Sequence, residues 1–169
     1  MTMHAFHPAR RTLLLGAAAG GLVAASSSAL AGGADAHFVN SPFRRFTPEE
    51  WKKRLSPASF GVLREEDTEY PGSSPLLNEH RKGTFVCLGC ELPLFKSDWK
   101  YDSHTGWPSF FMAYESGIQR KSDFKIGVPR TEYHCARCLG HQGHVFDDGP
   151  RPTGLRYCNN GVALKFVAA

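Results

Sequence analysis

The chain has 169 residues, with 20 lysines and arginines against 16 aspartates and glutamates, a net charge of +4. That is room for one domain plus a tail, and the charge is too mild, and too free of basic runs, for a nucleic-acid binder. Twelve Phe, five Tyr and three Trp, with 17 Gly and 11 Pro, favour a loop-rich, strand-rich fold over a helical bundle.

Residues 1–31 fall outside that domain. Arg10 and Arg11 precede an apolar run from Leu13 to Ala25, and Ala29-Leu30-Ala31 offers a small-residue cleavage site. This is the plan of an export signal of the twin-arginine type. The run is shorter than the roughly 20 residues of a spanning helix and is diluted by glycine. An uncleaved membrane anchor is the competing reading. Cleavage removes two arginines and no acid, which leaves a net +2. The mature protein is expected to be exported, to a bacterial periplasm, without stable membrane association.

Residues 32–45 show no periodicity and read as a linker. Next, Thr47 is placed to cap a helix, Pro48 suits its first position and Glu50 completes a capping box, which predicts a short helix to about Leu55. Ser56-Pro57 restarts a turn that runs to Gly61, and residues 64–83, rich in charge, Pro and Gly, read as a surface loop. From Gly83 the texture changes. G-T-F-V-C, T-E-Y-H-C and L-R-Y-C-N-N-G-V-A-L-K-F-V carry the β-branched and aromatic content of strands, with Gly or Pro at nearly every join. The prediction is one domain over residues 46–169, mainly antiparallel β, with short helices at its amino end.

Four of the five cysteines fall into pairs, Cys87 with Cys90 (C-L-G-C) and Cys135 with Cys138 (C-A-R-C). Two such turns brought together set four thiolates at the corners of a tetrahedron, as a closed structural zinc site requires, one zinc per chain. The 44 residues between the pairs exceed the usual ribbon spacing, so a piece of the domain lies between the halves. Two disulfides, or one redox-active C-x-x-C, are the alternative that an oxidising compartment favours. A twin-arginine route weighs for zinc, because it carries a protein already folded around its metal.

The fifth cysteine, Cys158 in R-Y-C-N-N-G, stands alone. Residues two apart on a strand share a face, so Arg156, Cys158 and Asn160 are expected to point the same way. A free thiol titrates at about 8.5, and a guanidinium favours the attacking thiolate. A half-buried structural cysteine is the plain alternative. H-Q-G-H-V-F-D-D-G-P sets His141 and His144 three residues apart just after the second cysteine turn. Imidazole is the usual proton donor near neutral pH. His141, His144 and Cys158 also make a conceivable second metal site, whereas His104 and His134 read as structural or exposed. In S-H-T-G-W-P-S-F, Gly106 and Pro108 force a turn that stands Trp107 on a loop; an aromatic core plug is the alternative.

Y-D-S-H-T-G-W-P-S-F, H-Q-G-H-V-F-D-D-G-P and R-P-T-G-L-R-Y-C-N-N, with the two C-x-x-C turns, together resemble the methionine-R-sulfoxide reductases of the B type, from about Thr47 to Phe166. The resemblance implies two antiparallel sheets forming a tent-like groove, stapled by zinc at Cys87, Cys90, Cys135 and Cys138. It implies that Cys158 is the nucleophile and that Trp107 packs against the substrate's S-methyl group, with Phe110 as a further apolar wall. It places His141, His144 and Asn160 around the sulfoxide oxygen and makes Arg156 an activator of the thiol.

The chemistry so implied is attack of Cys158 on sulfur while His144, assisted by His141, donates to oxygen. Methionine leaves, and Cys158 becomes a sulfenic acid. The substrate is the R epimer, free or in proteins. Many relatives carry a resolving cysteine before the tryptophan, where this chain has His104, Thr105 and Gly106. With the paired cysteines held by zinc no other thiol remains, so a thioredoxin-like reductant is expected; the protein is also expected to be a monomer. Relatives more often have serine after the asparagine; Gly161 here invites a turn that would move Asn160 off the strand face. A non-catalytic zinc module of the same fold, or another sulfenate-forming thiol oxidoreductase, are the competing functions.

Overall fold

A computed structural model describes Met1 and residues 37–169. Past Met1, the expected export signal and the first part of the expected linker lie outside the described residues. Thr47 caps helix α1 (Pro48–Arg54): its Oγ1 accepts the Glu50 N–H at 3.3 Å, and Glu50 Oε2 accepts the Thr47 N–H at 2.7 Å. This is the predicted capping box. Ser56 caps α2 (Pro57–Glu65), which runs a turn beyond Gly61 and closes at Glu66 in the left-handed region, φ 59°. Burial of Val62 and Leu63 carries the helix past the glycine, whose cost in a helix is only about 1 kcal/mol. The packed unit also starts before residue 46. Pro42–Arg45 form a 3-10 turn, and Phe38 and Phe43 lie against the core.

The strands are β1 (Gly83–Cys87), β2 (Pro93–Lys96), β3 (Lys100–Tyr101), β4 (Ser109–Phe110), β5 (Ile118–Asp123), β6 (Arg130–Cys135), β7 (His141–Phe146), β8 (Arg156–Asn159) and β9 (Leu164–Ala168). They form two antiparallel sheets, a small one in the order β2-β1-β9 and a large one in the order β3-β4-β8-β7-β6-β5. A 3-10 turn at Gly161–Ala163 carries the chain from β8 in the large sheet to β9 in the small one.

Between the sheets lies an aromatic core. Phe110 stacks on Phe95 at 4.1 Å between centroids and meets Phe85 edge-on at 5.0 Å, while Tyr133 meets Tyr157 edge-on at 5.4 Å. Such pairs add about 0.5–1.5 kcal/mol each beyond the area they bury. The Tyr133 hydroxyl donates to Asn159 Oδ1 at 2.7 Å, so its buried polar end is satisfied.

The period of two then fixes the site. Phe110 pairs with Tyr157, and Tyr157 with Val145, on one face of the large sheet; Ser109, Cys158, His144 and Glu132 form the adjacent row, on the other. A β-carbon at Gly143 would come within 1.9 Å of the Cys158 carbonyl oxygen, so glycine is what lets β7 lie this close to β8.

Candidate functional site

Cys87 ends β1 and Cys135 ends β6, so the two cysteine turns join different sheets. The Cys87 and Cys138 sulfurs lie 3.6 Å apart and those of Cys90 and Cys135 3.4 Å, with all four within 4.8 Å of one another and buried. Sulfurs about 2.3 Å from a central ion stand roughly 3.8 Å apart in a tetrahedron, so the donor set fits a closed metal site. A disulfide needs about 2.05 Å, and none of the five cysteines is so paired. Around the cluster, Gln142 Nε2 donates to Cys87 Sγ at 3.4 Å, and Arg64 and Arg137 donate to the Cys138 and Cys90 carbonyl oxygens, each at 3.0 Å. Those bonds orient the turns and set positive charge beside an anionic centre. Among the described residues, His141, His144 and Cys158 are not gathered as a second set of this kind.

Cys158 is half-buried at a separate cavity of about 130 Å³ lined by Thr68, Trp107, Arg130, Gly143, His144, Phe146, Asn159 and Asn160. Drug-sized ligand pockets begin at roughly 300 Å³, so this one suits the end of a side chain. Trp107 stands on the loop before β4, turned by Gly106 at φ +91°, and its indole N–H donates to the Glu69 carbonyl oxygen at 3.1 Å. Phe110 is not part of this wall. Its register with Tyr157 turns it into the core, wholly buried against Phe95, and Phe146, on the Cys158 face, supplies the apolar surface instead.

Burial pushes the Cys158 thiol up; the Arg156 guanidinium and the Thr105 hydroxyl pull it back without reversing the shift. The arginine thus acts in the expected direction, but the resting sulfur is a thiol because desolvation outweighs it. Arg156 is itself clamped by Asp148, Nε to Oδ1 at 2.7 Å and Nη2 to Oδ2 at 2.8 Å, and lies 4.3 Å over the Phe146 ring.

His144 Nε2 bonds Asp123 Oδ2 at 2.7 Å, and the same oxygen takes a bond from Arg130. Burial pushes His144 down, partly offset by Asp123. His141 is buried beside it, ring centroids 5.5 Å apart and edge-on, but does not line the cavity. Its Nδ1 bonds Glu132 Oε1 at 2.7 Å, and His134 Nδ1 bonds Glu132 Oε2 at 2.9 Å. Burial opposes the charge on Glu132, yet the bonds from His134 and His141 hold its carboxyl down at about 2.

Asn160 lies one residue beyond β8, at the head of the 3-10 turn, and still reaches the cavity. Its amide is committed to backbone: Nδ2 donates to the Gln142 oxygen at 3.0 Å and Oδ1 accepts the Glu69 N–H at 3.0 Å. The sequence reading did not single out Phe146, Arg130, Thr68, Asp123 or Glu69. Phe146 had a signal, two residues after His144 on one strand. Asp123 and Glu69 are brought in by pairings that no local pattern reveals.

The SelR domain model matches residues 55–168 of the chain. Peptide methionine sulfoxide reductase MsrB of Bradyrhizobium diazoefficiens is 54% identical over 118 residues, covering 69% of this chain and 85% of that protein. The protein of the same name from Leptospira interrogans is 49% identical over 119 residues, 70% of this chain and 91% of that protein. Methionine-R-sulfoxide reductase B2 of rat mitochondria is 47% identical over 125 residues, 69% of this chain and 72% of that protein.

Proposed function

The chain belongs to the SelR-domain family of B-type methionine sulfoxide reductases, and from that premise we propose how its own side chains divide the chemistry. The protein reduces methionine-R-sulfoxide to methionine with a thiol reductant. A sulfoxide sulfur is electrophilic only once its oxygen is protonated or strongly hydrogen-bonded. The Cys158 thiolate attacks that sulfur. His144, as an imidazolium whose Nε2–H is held by Asp123, gives the oxygen a proton from Nδ1. Burial, which pushes His144 down, makes it a stronger acid for this purpose. Trp107 and Phe146 enclose the S-methyl group, and Arg156 steadies the anionic sulfur. His141, itself fixed by Glu132, packs edge-on against the His144 ring.

The oxygen passes to Cys158, whose sulfur is oxidised by two electrons as the substrate sulfur is reduced by two, leaving a sulfenic acid and methionine. A thiol of the reductant condenses with the sulfenic acid and releases water; a second thiol frees Cys158 from the mixed disulfide. The other four cysteines are gathered in the buried cluster, so both thiols come from outside, from a thioredoxin-like partner. The observation that supports the assignment most directly is the cross-strand pairing of His144 with Cys158 in a cavity they share with Trp107.

The all-sulfur donor set suits zinc, one per chain, held by Cys87, Cys90, Cys135 and Cys138. When bound it would serve as a staple between the sheets, with no part in the chemistry of Cys158. The Arg10-Arg11 leader supports export to a periplasm, where the mature chain works as a monomer free of the membrane. No helix among the described residues is long and apolar enough to cross a membrane. Amino-terminal sequencing of the protein from cells tests the cleavage: a start at Met1 refutes it. For the reaction, the test is turnover of the two methionine sulfoxide epimers with dithiothreitol. Reduction of the R epimer alone is expected, and equal rates on both overturn the reading.

A further inference from the structure

Glu69 sits in the loop between α2 and β1, and its polar groups engage Trp107 and Asn160, which line the Cys158 cavity, and the two residues that follow Asn160. Its carbonyl oxygen accepts the Trp107 indole N–H at 3.1 Å, and its own N–H donates to Asn160 Oδ1 at 3.0 Å. One carboxylate oxygen accepts the Gly161 N–H, and the other accepts the Val162 N–H at 3.1 Å. A carboxylate gripped by two successive backbone N–H groups is a charge-assisted, two-point clamp. A further tie, Gly72 N–H to the Gly106 carbonyl oxygen at 2.7 Å, fastens the same loop to the turn that presents Trp107. The neighbouring Thr68 lines the cavity itself. One residue therefore links the indole wall to the backbone that follows the nucleophile, across segments far apart in sequence.

We propose that Glu69 is a positioning and specificity-determining residue: it sets the gap between the Trp107 indole and the Cys158–Asn160 segment, and so the width of the slot that takes the substrate's S-alkyl group. This rests on the reading that the slot holds the methyl of methionine sulfoxide. A slot fixed at methyl width discriminates against one extra methylene by about 10- to 200-fold, the range open to apolar pockets. Loosening the clamp gives part of that discrimination away while leaving the His144–Cys158 pair, which the β7–β8 ladder holds, in register.

The experiment compares Glu69→Ala and Glu69→Gln with wild type by two readouts. The first is hydrogen exchange, by NMR, of the Gly161 and Val162 amides and the Trp107 indole N–H. All three are expected to exchange about tenfold faster or more in Glu69→Ala, with the β6 and β7 amides unchanged. The second is the ratio of kcat/KM for methionine-R-sulfoxide to that for ethionine-R-sulfoxide in the same peptide. It is expected to fall about fivefold or more in Glu69→Ala, with Glu69→Gln between, while the pH midpoint of Cys158 alkylation stays put. Unchanged indole exchange, an unchanged methyl-to-ethyl ratio, or faster exchange spread evenly over β6 and β7 each overturns the proposal. If Glu69→Ala does not fold, Glu69→Gln carries both readouts. A wild type inactive on methionine sulfoxide refutes the functional reading instead, and the exchange data alone then decide whether Glu69 is a clamp.

Discussion

His144 and Cys158 are direct partners across the β7–β8 ladder, with Ser109 and Glu132 extending the same row to either side. Residues directly opposite in an antiparallel pair hold their β-carbons about 4.5–5.5 Å apart. The proposed acid and nucleophile are thus spaced by backbone pairing, which is stiffer than any loop, and the loops bring only the walls of the cavity. Placing the site on paired strands is what rigid preorganisation calls for.

Replacing Cys158 by serine removes the proposed nucleophile with little change of shape at a half-buried position. Turnover is expected to drop by about a thousandfold or more, since a serine hydroxyl without an adjacent activating base is a poor nucleophile. Zinc content and Tm should match wild type. A large fall in Tm would reveal a structural cysteine.

The pH profile follows from two opposed shifts. Burial raises Cys158 and lowers His144, so at neutral pH most molecules hold a thiol and a neutral imidazole. The reactive thiolate–imidazolium pair is a constant small fraction between the two pKa values and declines outside them. A broad plateau in kcat/KM is predicted, falling as pH drops below the His144 value and as it rises above that of Cys158. Asp123→Asn removes an influence that raises His144, so the acid limb should move to lower pH. Arg156→Met removes one that lowers Cys158, so the alkaline limb should move up. Limbs that move the other way would contradict the roles given to both residues.

Removing one ligand of the cysteine cluster, as in Cys138→Ser, unfastens the two sheets. A loss of about 3 kcal/mol lowers Tm by the order of 10 °C in a domain of this size. Zinc should fall well below one per chain by elemental analysis, and a strong chelator should reproduce the Tm shift in wild type. A variant that keeps its Tm without metal would overturn the structural assignment.

Phe110 and Phe146 make a paired test of which face is which. Phe110→Ala opens a cavity in the aromatic core and should cost about 3–5 kcal/mol of stability. Phe146→Ala should leave Tm nearly unchanged and raise KM, because that ring lines the Cys158 cavity and is only partly buried. Denaturant melts and steady-state kinetics on both variants decide it.

What the sequence made legible was local. The Thr47–Glu50 capping box, the cysteine spacings and the strand-like runs around Cys87, Cys135 and Cys158 are short-range patterns, and the structure contains each of them. What it hid was decided by pairing and burial. Phe110 sits beside the Trp107 turn in sequence, yet register sends it to the core. The net direction for Cys158 depends on how deeply the folded chain encloses it, which the adjacent Arg156 does not reveal. Glu69, in a stretch that reads as ordinary surface loop, earns its place only through partners some forty and ninety residues away.

The central claim is tested most directly by a single turnover. Reduced, reductant-free enzyme is mixed with one equivalent of methionine-R-sulfoxide, and the products are read by intact-protein mass and a dimedone-type trap. One equivalent of methionine with a sulfenic acid at Cys158 is the predicted result. Methionine released alongside an intramolecular disulfide, or no oxidation at residue 158 at all, would contradict it.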